Sequence, residues 1–242
     1  MPLVTGAQSA LPPVAPAARA QPVAVLEWHD VLPEKAVWFD TTTATLAAEL
    51  DAIASRGYHV VPLGALRDHL ISGRPLPRRA LVLTFDDNGH GIYRNAFPLL
   101  LKHRFPATLF VHTNYVGKTT SKEHNSWDEL RAMESTGLVD VQSLTANHPP
   151  DLTKLSDADV THEFALSAHS LLVRLGHKPY ALVYPYDVYD DRVARLALQA
   201  GYTLAFTEDH GLIGTSPSLF ELRRYSLTSD ELFDQALSDV AR

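Results

Sequence analysis

The run Leu81-Val82-Leu83-Thr84-Phe85 is apolar almost without alternation, and it ends on two adjacent carboxylates, Asp86-Asp87. Such a run reads as a strand buried on both faces, as in a parallel sheet covered by helices. Other strands are predicted at 23–29, 58–63, 107–111, 139–143, 180–184, 203–206 and 222–227. Helical patterns lie between them. Residues 40–57 place Leu46, Leu50 and Ile53 on one face and stop at Gly57. Shorter helices are predicted at 66–71, closed by Gly73, at 93–102, and at 127–135, ended by Gly137. Ser156 is the predicted N-cap of a helix running to about Leu175, and helices follow at 190–201 and 230–242. Strand and helix alternate throughout, which predicts an α/β fold with a parallel sheet, open or closed into a barrel.

Chemistry in such folds gathers at the carboxyl ends of the strands, where Asp86 and Asp87 fall. Neighbouring side chains on extended backbone point in opposite directions, so one acid could hold a metal while the other serves as a base. The competing reading makes one of them the N-cap of the next helix.

Composition narrows the field. The 242 residues fit one α/β domain, and 45% hydrophobic content is enough for a sizeable core. A formal net charge of -7 argues against nucleic acid as a partner, and no apolar run is long enough for a transmembrane helix. The absence of cysteine removes disulfides, thiol nucleophiles and thiolate metal sites, leaving the 12 histidines as nitrogen donors. No phosphate-binding Gly-rich loop, dinucleotide fingerprint or nucleophile elbow is present. Residues 1–22 are rich in Ala and Pro with one charge, Arg19, and read as a disordered tail ahead of a domain spanning 23–242. Within the tail, Ala18-Arg19-Ala20 resembles the small-x-small pattern of a signal cleavage site, which favours a secreted or cell-envelope protein.

Several segments together resemble the polysaccharide deacetylases of the NodB-like homology type, carbohydrate esterase family 4. Thr84-Phe85-Asp86-Asp87 is similar to the family's first motif, Thr-Phe-Asp-Asp-Gly, with Asn88 in place of the Gly. Gly57-Tyr58-His59-Val60-Val61-Pro62-Leu63, Trp28-His29-Asp30 and Phe105-Pro106-Ala107-Thr108-Leu109-Phe110-Val111 resemble flanking family segments, so that the likeness spans about Val23 to Leu227. It implies a distorted (β/α) barrel of about seven strands. It also implies a hydrolase that removes acetyl groups from an N- or O-acetylated polysaccharide with Zn²⁺ or another divalent ion. By residue-wise transfer, Asp86 is the base, and Asp87 and His148 are metal ligands.

The second motif departs from the family. Where members carry His-Ser/Thr-x-x-His-Pro, this chain has Leu144-Thr145-Ala146-Asn147-His148-Pro149, so the first metal histidine is replaced by Leu144. A substitute ligand could come from His29, His90, Asn147 or water. Tyr184-Pro185-Tyr186-Asp187 is similar to the substrate-lining Tyr-Pro-Tyr/Phe-Gly loop of the biofilm-polysaccharide deacetylases, which offers a backbone N–H to the oxyanion. Asp187 replaces its Gly. The aromatic residues of this loop could stack on sugars or simply pack at the barrel rim. The late Leu-x-His motif, source of the general acid, has no match after Leu222. The last histidine, His210, reads as a surface-loop residue. His162 and His169 read as a solvated helix face, and His59, His69, His103, His112, His124 and His177 show no partner pattern. A second reading is therefore a catalytically impaired homologue that binds glycan or a partner protein.

Overall fold

The computed structural model describes residues 10–242. Its strands are β1 (Val23–Trp28), β2 (Val31–Leu32), β3 (Thr41–Thr42), β4 (His59–Val60), β5 (Ala80–Phe85), β6 (Ala107–Val111), β7 (Val139–Ser143), β8 (Ala181–Val183), β9 (Leu204–His210) and β10 (Leu222–Ser226). Its helices are α1 (Pro16–Ala20), α2 (Thr43–Ser55), α3 (Leu63–Ser72), α4 (Phe97–His103), α5 (Trp127–Ser135), α6 (Asp157–Leu175), α7 (Asp191–Gln199) and α8 (Asp230–Ala241). Among the described residues the main sheet has eight strands, ordered β1-β10-β9-β8-β7-β6-β5-β4. β1 also pairs with β5, from Val23↔Ala80 to Trp28↔Phe85, so seven parallel strands close into the expected barrel and β4 remains as an extra strand beside β5.

The two-residue period of the strands decides what lines the barrel. On β1, Val23 and Val25 share a face with Glu27; on β5, Ala80 and Val82 share a face with Thr84 and continue to Asp86. The alternate residues, Ala24, Leu26 and Trp28 with Leu81, Leu83 and Phe85, pack under helices through Leu46, Leu50, Ile53, Phe233 and Leu237. The inner face is thus apolar at the start of the strands and polar at their carboxyl ends. That is where the sequence places the acids.

Two elements differ from expectation for local reasons. The helix predicted at 93–102 begins as a π-turn, Ile92–Ala96, and becomes α-helical only from Phe97; Pro98, which has no N–H to donate, follows directly on the wider turn. The strand predicted at 58–63 shortens to His59–Val60, because Pro62 has no N–H to extend the ladder and instead caps α3.

The stretch expected to be a tail is packed where it is described. Val14 and Ala18 are buried in the cluster that contains Val23 and Ala80, the first residues of β1 and β5. Backbone bonds hold it, from Ala15 N–H to Leu70 O and from Leu219 N–H to Pro12 O, both 2.8 Å. Arg19 adds bonds to the carbonyls of Gly214 and Pro217. The Ala/Pro composition that suggests disorder here serves close packing, since Gly214 is in near contact with the Ala18 backbone and small side chains are needed on both sides. The Ala18-Arg19-Ala20 triplet lies within this packed segment, and residues 1–9 of the expected tail lie outside the described residues.

Candidate active site

A cavity of about 240 Å³ opens at the carboxyl end of the barrel, lined among others by His29, Asp86, Asp87, Leu144, His148 and Glu208. Its floor is a buried charge network from strands distant in sequence. Arg224 of β10 donates to both oxygens of Asp86, at 3.0 and 2.8 Å, and to the Thr207 carbonyl at 3.0 Å. The His29 ring pairs with Glu27 at 2.7 Å, and the Ser226 hydroxyl also donates to Glu27. Burial works against the Glu27 charge, but His29, with Arg224 behind it, outweighs that and holds the carboxyl at about 2. Burial likewise opposes the His29 charge, yet Glu27, then Asp87 and Asp86, raise it to about 10. Burial lifts Asp86 to about 6 against the pull of Arg224, and Glu27 adds to the rise. Near neutral pH the site therefore holds an ionised Asp86 beside a protonated imidazole.

Asp87 turns away from the strand. Its φ of 71° and the φ of 57° at Asn88 put two successive residues in the left-handed region, the conformation for which the family motif uses Gly. Asn tolerates that region better than most residues. Here its amide donates to Asn125 O, while Asn125 donates to Asn88 Oδ1 at 3.0 Å and Gly89 O at 3.1 Å. Neither acid caps the next helix; the cap position is Gly91, without a side-chain bond, so the N-cap reading falls. Asn125 is fully buried. Asn125→Ala strands buried acceptors on the turn that aims Asp87, and it should cost ~1–3 kcal/mol, read as a lower urea midpoint at unchanged slope.

His148 Nε2 lies 3.7 Å from Asp87 Oδ1. The loop carrying it is rigidly held. Glu163 accepts from the backbone of Ala146 and Asn147 and from the Asn147 amide, Thr145 Oγ1 accepts from His148 N–H, and Leu144 N–H donates to Val111 O. Leu144 is 2% exposed and lines the same cavity as Asp86, Asp87 and His148. A divalent ion fits the donors by chemistry: Asp87 and His148 also line a second cavity, of about 270 Å³, together with His112, whose buried Nδ1 has no hydrogen-bond partner among the described residues. Among the described residues no three His, Asp or Glu side chains are already gathered at metal-holding distance.

Of the proposed substitutes for the missing ligand, only His29 lines this cavity, and its Nδ1 is held by Glu27. His90 is paired with Glu123 and Glu129 at 3.0 and 2.8 Å in a separate depression. Asn147 is engaged by Glu163 and Asn114. His210 sits exposed at the end of β9.

In the third motif, Tyr184 reaches the cavity wall but its hydroxyl is bound to Phe220 O at 3.0 Å, and Pro185 is buried. Asp187, at φ 56°, spends its N–H on Tyr184 O and its carboxylate on Glu208 N–H. Tyr186, at φ 54°, is 62% exposed and packs on His148 at 4.6 Å between ring centres. Trp38, 75% exposed, lines the same cavity with Phe39. Sequence reading did not single out Trp38, Phe39, Glu27 or Arg224. Trp38 and Phe39 lie just ahead of the helix predicted at 40–57, where nothing in the sequence sets them apart.

A family model described as polysaccharide deacetylase matches residues 73–205. The poly-beta-1,6-N-acetyl-D-glucosamine N-deacetylase of Staphylococcus aureus (strain MSSA476) is 28% identical over 172 residues, 66% of this chain and 58% of that protein. Its Staphylococcus epidermidis counterpart is 29% identical over 176 residues, 67% of this chain and 59% of that protein. The aligned part is thus under two thirds of either relative's length. Among solved structures, IcaB from Ammonifex degensii superposes with a TM-score of 0.80 at 23% identity, covering 92% of this chain and 98% of that one. The Streptococcus pyogenes deacetylase PplD, in complex with acetate, gives 0.81 at 23% identity, covering 89% and 98%. At that identity the superpositions establish the fold.

Proposed function

We propose that this chain, which belongs to the polysaccharide deacetylase family, is a metal-dependent hydrolase that removes acetyl groups from an N-acetylated glycan. The observation that carries the reading is the convergence of Asp86, Asp87, His148 and His29 on one cavity at the carboxyl end of the barrel. The substrate class follows from the relatives' name, poly-beta-1,6-N-acetyl-D-glucosamine N-deacetylase. It also fits the exposed rings of Trp38 and Tyr186 at the cavity, which offer flat apolar faces to sugars.

Asp87 and His148 would hold the ion, which when bound supplies a water of lowered pKa and polarises the acetyl carbonyl. Asp86, fixed by Arg224, takes the proton from the attacking water. His29, kept protonated by Glu27, gives its proton to the departing amine. The Tyr186 amide is the loop's candidate donor to the oxyanion, since the Asp187 amide is bound to Tyr184 O. The late histidine that the family uses as acid is thus replaced in role by one on the first strand's exit.

A base that must be ionised and an acid that must be protonated give a bell-shaped rate profile. Hydrolysis of N-acetylglucosamine oligomers should rise as pH passes about 6, the Asp86 value, and fall only near 10, the His29 value. Stopped-assay acetate release across pH 5 to 10.5 reads this. A fall beginning at pH 7 would remove His29 as the acid.

A further inference from the structure

We propose that His112, at the end of β6, supplies the imidazole that position 144 lacks, so that Asp87, His148 and His112 together hold the divalent ion. This rests on the metal-dependent reading above. His112 is 6% exposed, and its Nδ1 is a buried nitrogen with no hydrogen-bond partner. A buried unpaired polar atom needs an occupant or a reason. Its ring lies 5.3 Å, centre to centre, from that of His148, and both line one cavity with Asp87. Two imidazoles sharing a tetrahedral zinc at ~2.0–2.1 Å have ring centres about 5 Å apart.

The mounts of the two rings are joined directly. Thr113 N–H donates to Thr145 O and Asn114 N–H to Ala146 O, so the exit of β6 is bonded to the loop bearing His148. The spacing of the two rings is therefore a property of the backbone. The ring of His124 stands 5.0 Å, centre to centre, from that of His112. Its Nδ1 faces Lys118 O at 3.0 Å, which assigns that nitrogen as the donor. His124 is in turn bridged to Gly89, two residues beyond Asp87. The group is thus built on the same turn as the carboxylate. The imidazole thus comes from the end of the neighbouring strand β6 instead of the loop after β7, and it meets Asp87 and His148 in a second cavity that those two residues share with the first. The substitutes raised from the sequence are held elsewhere: His29 by Glu27, His90 by two glutamates, Asn147 by Glu163.

The test is calorimetric titration of the full, chelator-stripped chain with Zn²⁺, with the visible spectrum of the Co²⁺ form as a second readout. Wild type should bind one ion. His112→Gln, similar in size but without an imidazole, should keep its thermal melt and bind Zn²⁺ at least ~100-fold more weakly, since even outer partners of a ligand account for about 10–100-fold. His112→Ala should behave alike. Adding Leu144→His to His112→Gln should restore the affinity to within about tenfold, because it returns an imidazole to the family's position. Wild-type affinity and an unchanged Co²⁺ spectrum in a folded His112→Gln variant would overturn the assignment, as would loss of the ion from His124→Ala alone. Asp87→Ala separates the two levels. If it too binds Zn²⁺ like wild type, the metal reading itself fails; if it loses the ion while His112→Gln keeps it, only the His112 assignment fails.

Discussion

Asp86→Asn should lower turnover on an acetylated glucosamine oligomer by ~10²–10⁴-fold, the usual contribution of a positioned proton acceptor. The same change removes the one carboxylate that Arg224 bonds among the described residues. Arg224 is completely buried, and a buried guanidinium without its counter-charge costs up to ~3–5 kcal/mol. The variant should therefore be both inactive and less stable, which distinguishes this account from one in which Asp86 acts only as a base. Turnover and urea unfolding measured on the same preparation decide it. A variant that hydrolyses normally removes Asp86 from the mechanism. One that is inactive at wild-type stability contradicts the role given to the ion pair.

The complementary change, Arg224→Met, leaves Asp86 buried near Glu27 with no cation bonded to it. At pH 8 the cost should again approach ~3–5 kcal/mol. Its pH dependence has a definite sign. Asp86 already has a folded pKa raised above its ordinary value, so its proton favours the folded state, and that contribution is present at low pH and lost as pH rises through about 6. Without Arg224 the carboxyl rises further. The deficit of the variant should shrink as pH falls from 8 to 5, and the acid limb of its rate profile should move to higher pH. A deficit that stays constant across that range would mean that Asp86 is not the group involved.

The barrel was legible because its strands are buried on both faces, and the breaks at Gly57, Gly73 and Gly137 mark helix ends with positive φ. The family's acids were legible because Asp86 and Asp87 are adjacent in sequence at the end of a strand. What could not be read are groups that meet only when the barrel closes. Arg224 lies 138 residues from Asp86, and in Leu222-Arg223-Arg224-Tyr225 nothing distinguishes the inward arginine from its half-buried neighbour until the register is known. His29 was legible only as a candidate metal ligand; its pairing with Glu27 two residues earlier, which underlies the proton-donor role proposed for it, follows from the inner-face period. His112 showed no partner because His148 and Asp87 reach it from the exits of other strands. The Ala/Pro-rich start was misleading where it is described, since disorder and tight packing of small residues share a composition.

The central claim is metal-dependent removal of acetyl groups. It is tested most directly by acetate release from β-1,6-linked N-acetylglucosamine oligomers, with the chain as purified, after chelation, and after Zn²⁺ is returned. The account predicts release by the purified chain, its loss on chelation, and its recovery with Zn²⁺ for wild type but not for Asp87→Ala. Release that chelation leaves untouched, or none from a chain that binds the oligomer and one Zn²⁺, would contradict it; the latter is the behaviour of an impaired homologue that binds glycan.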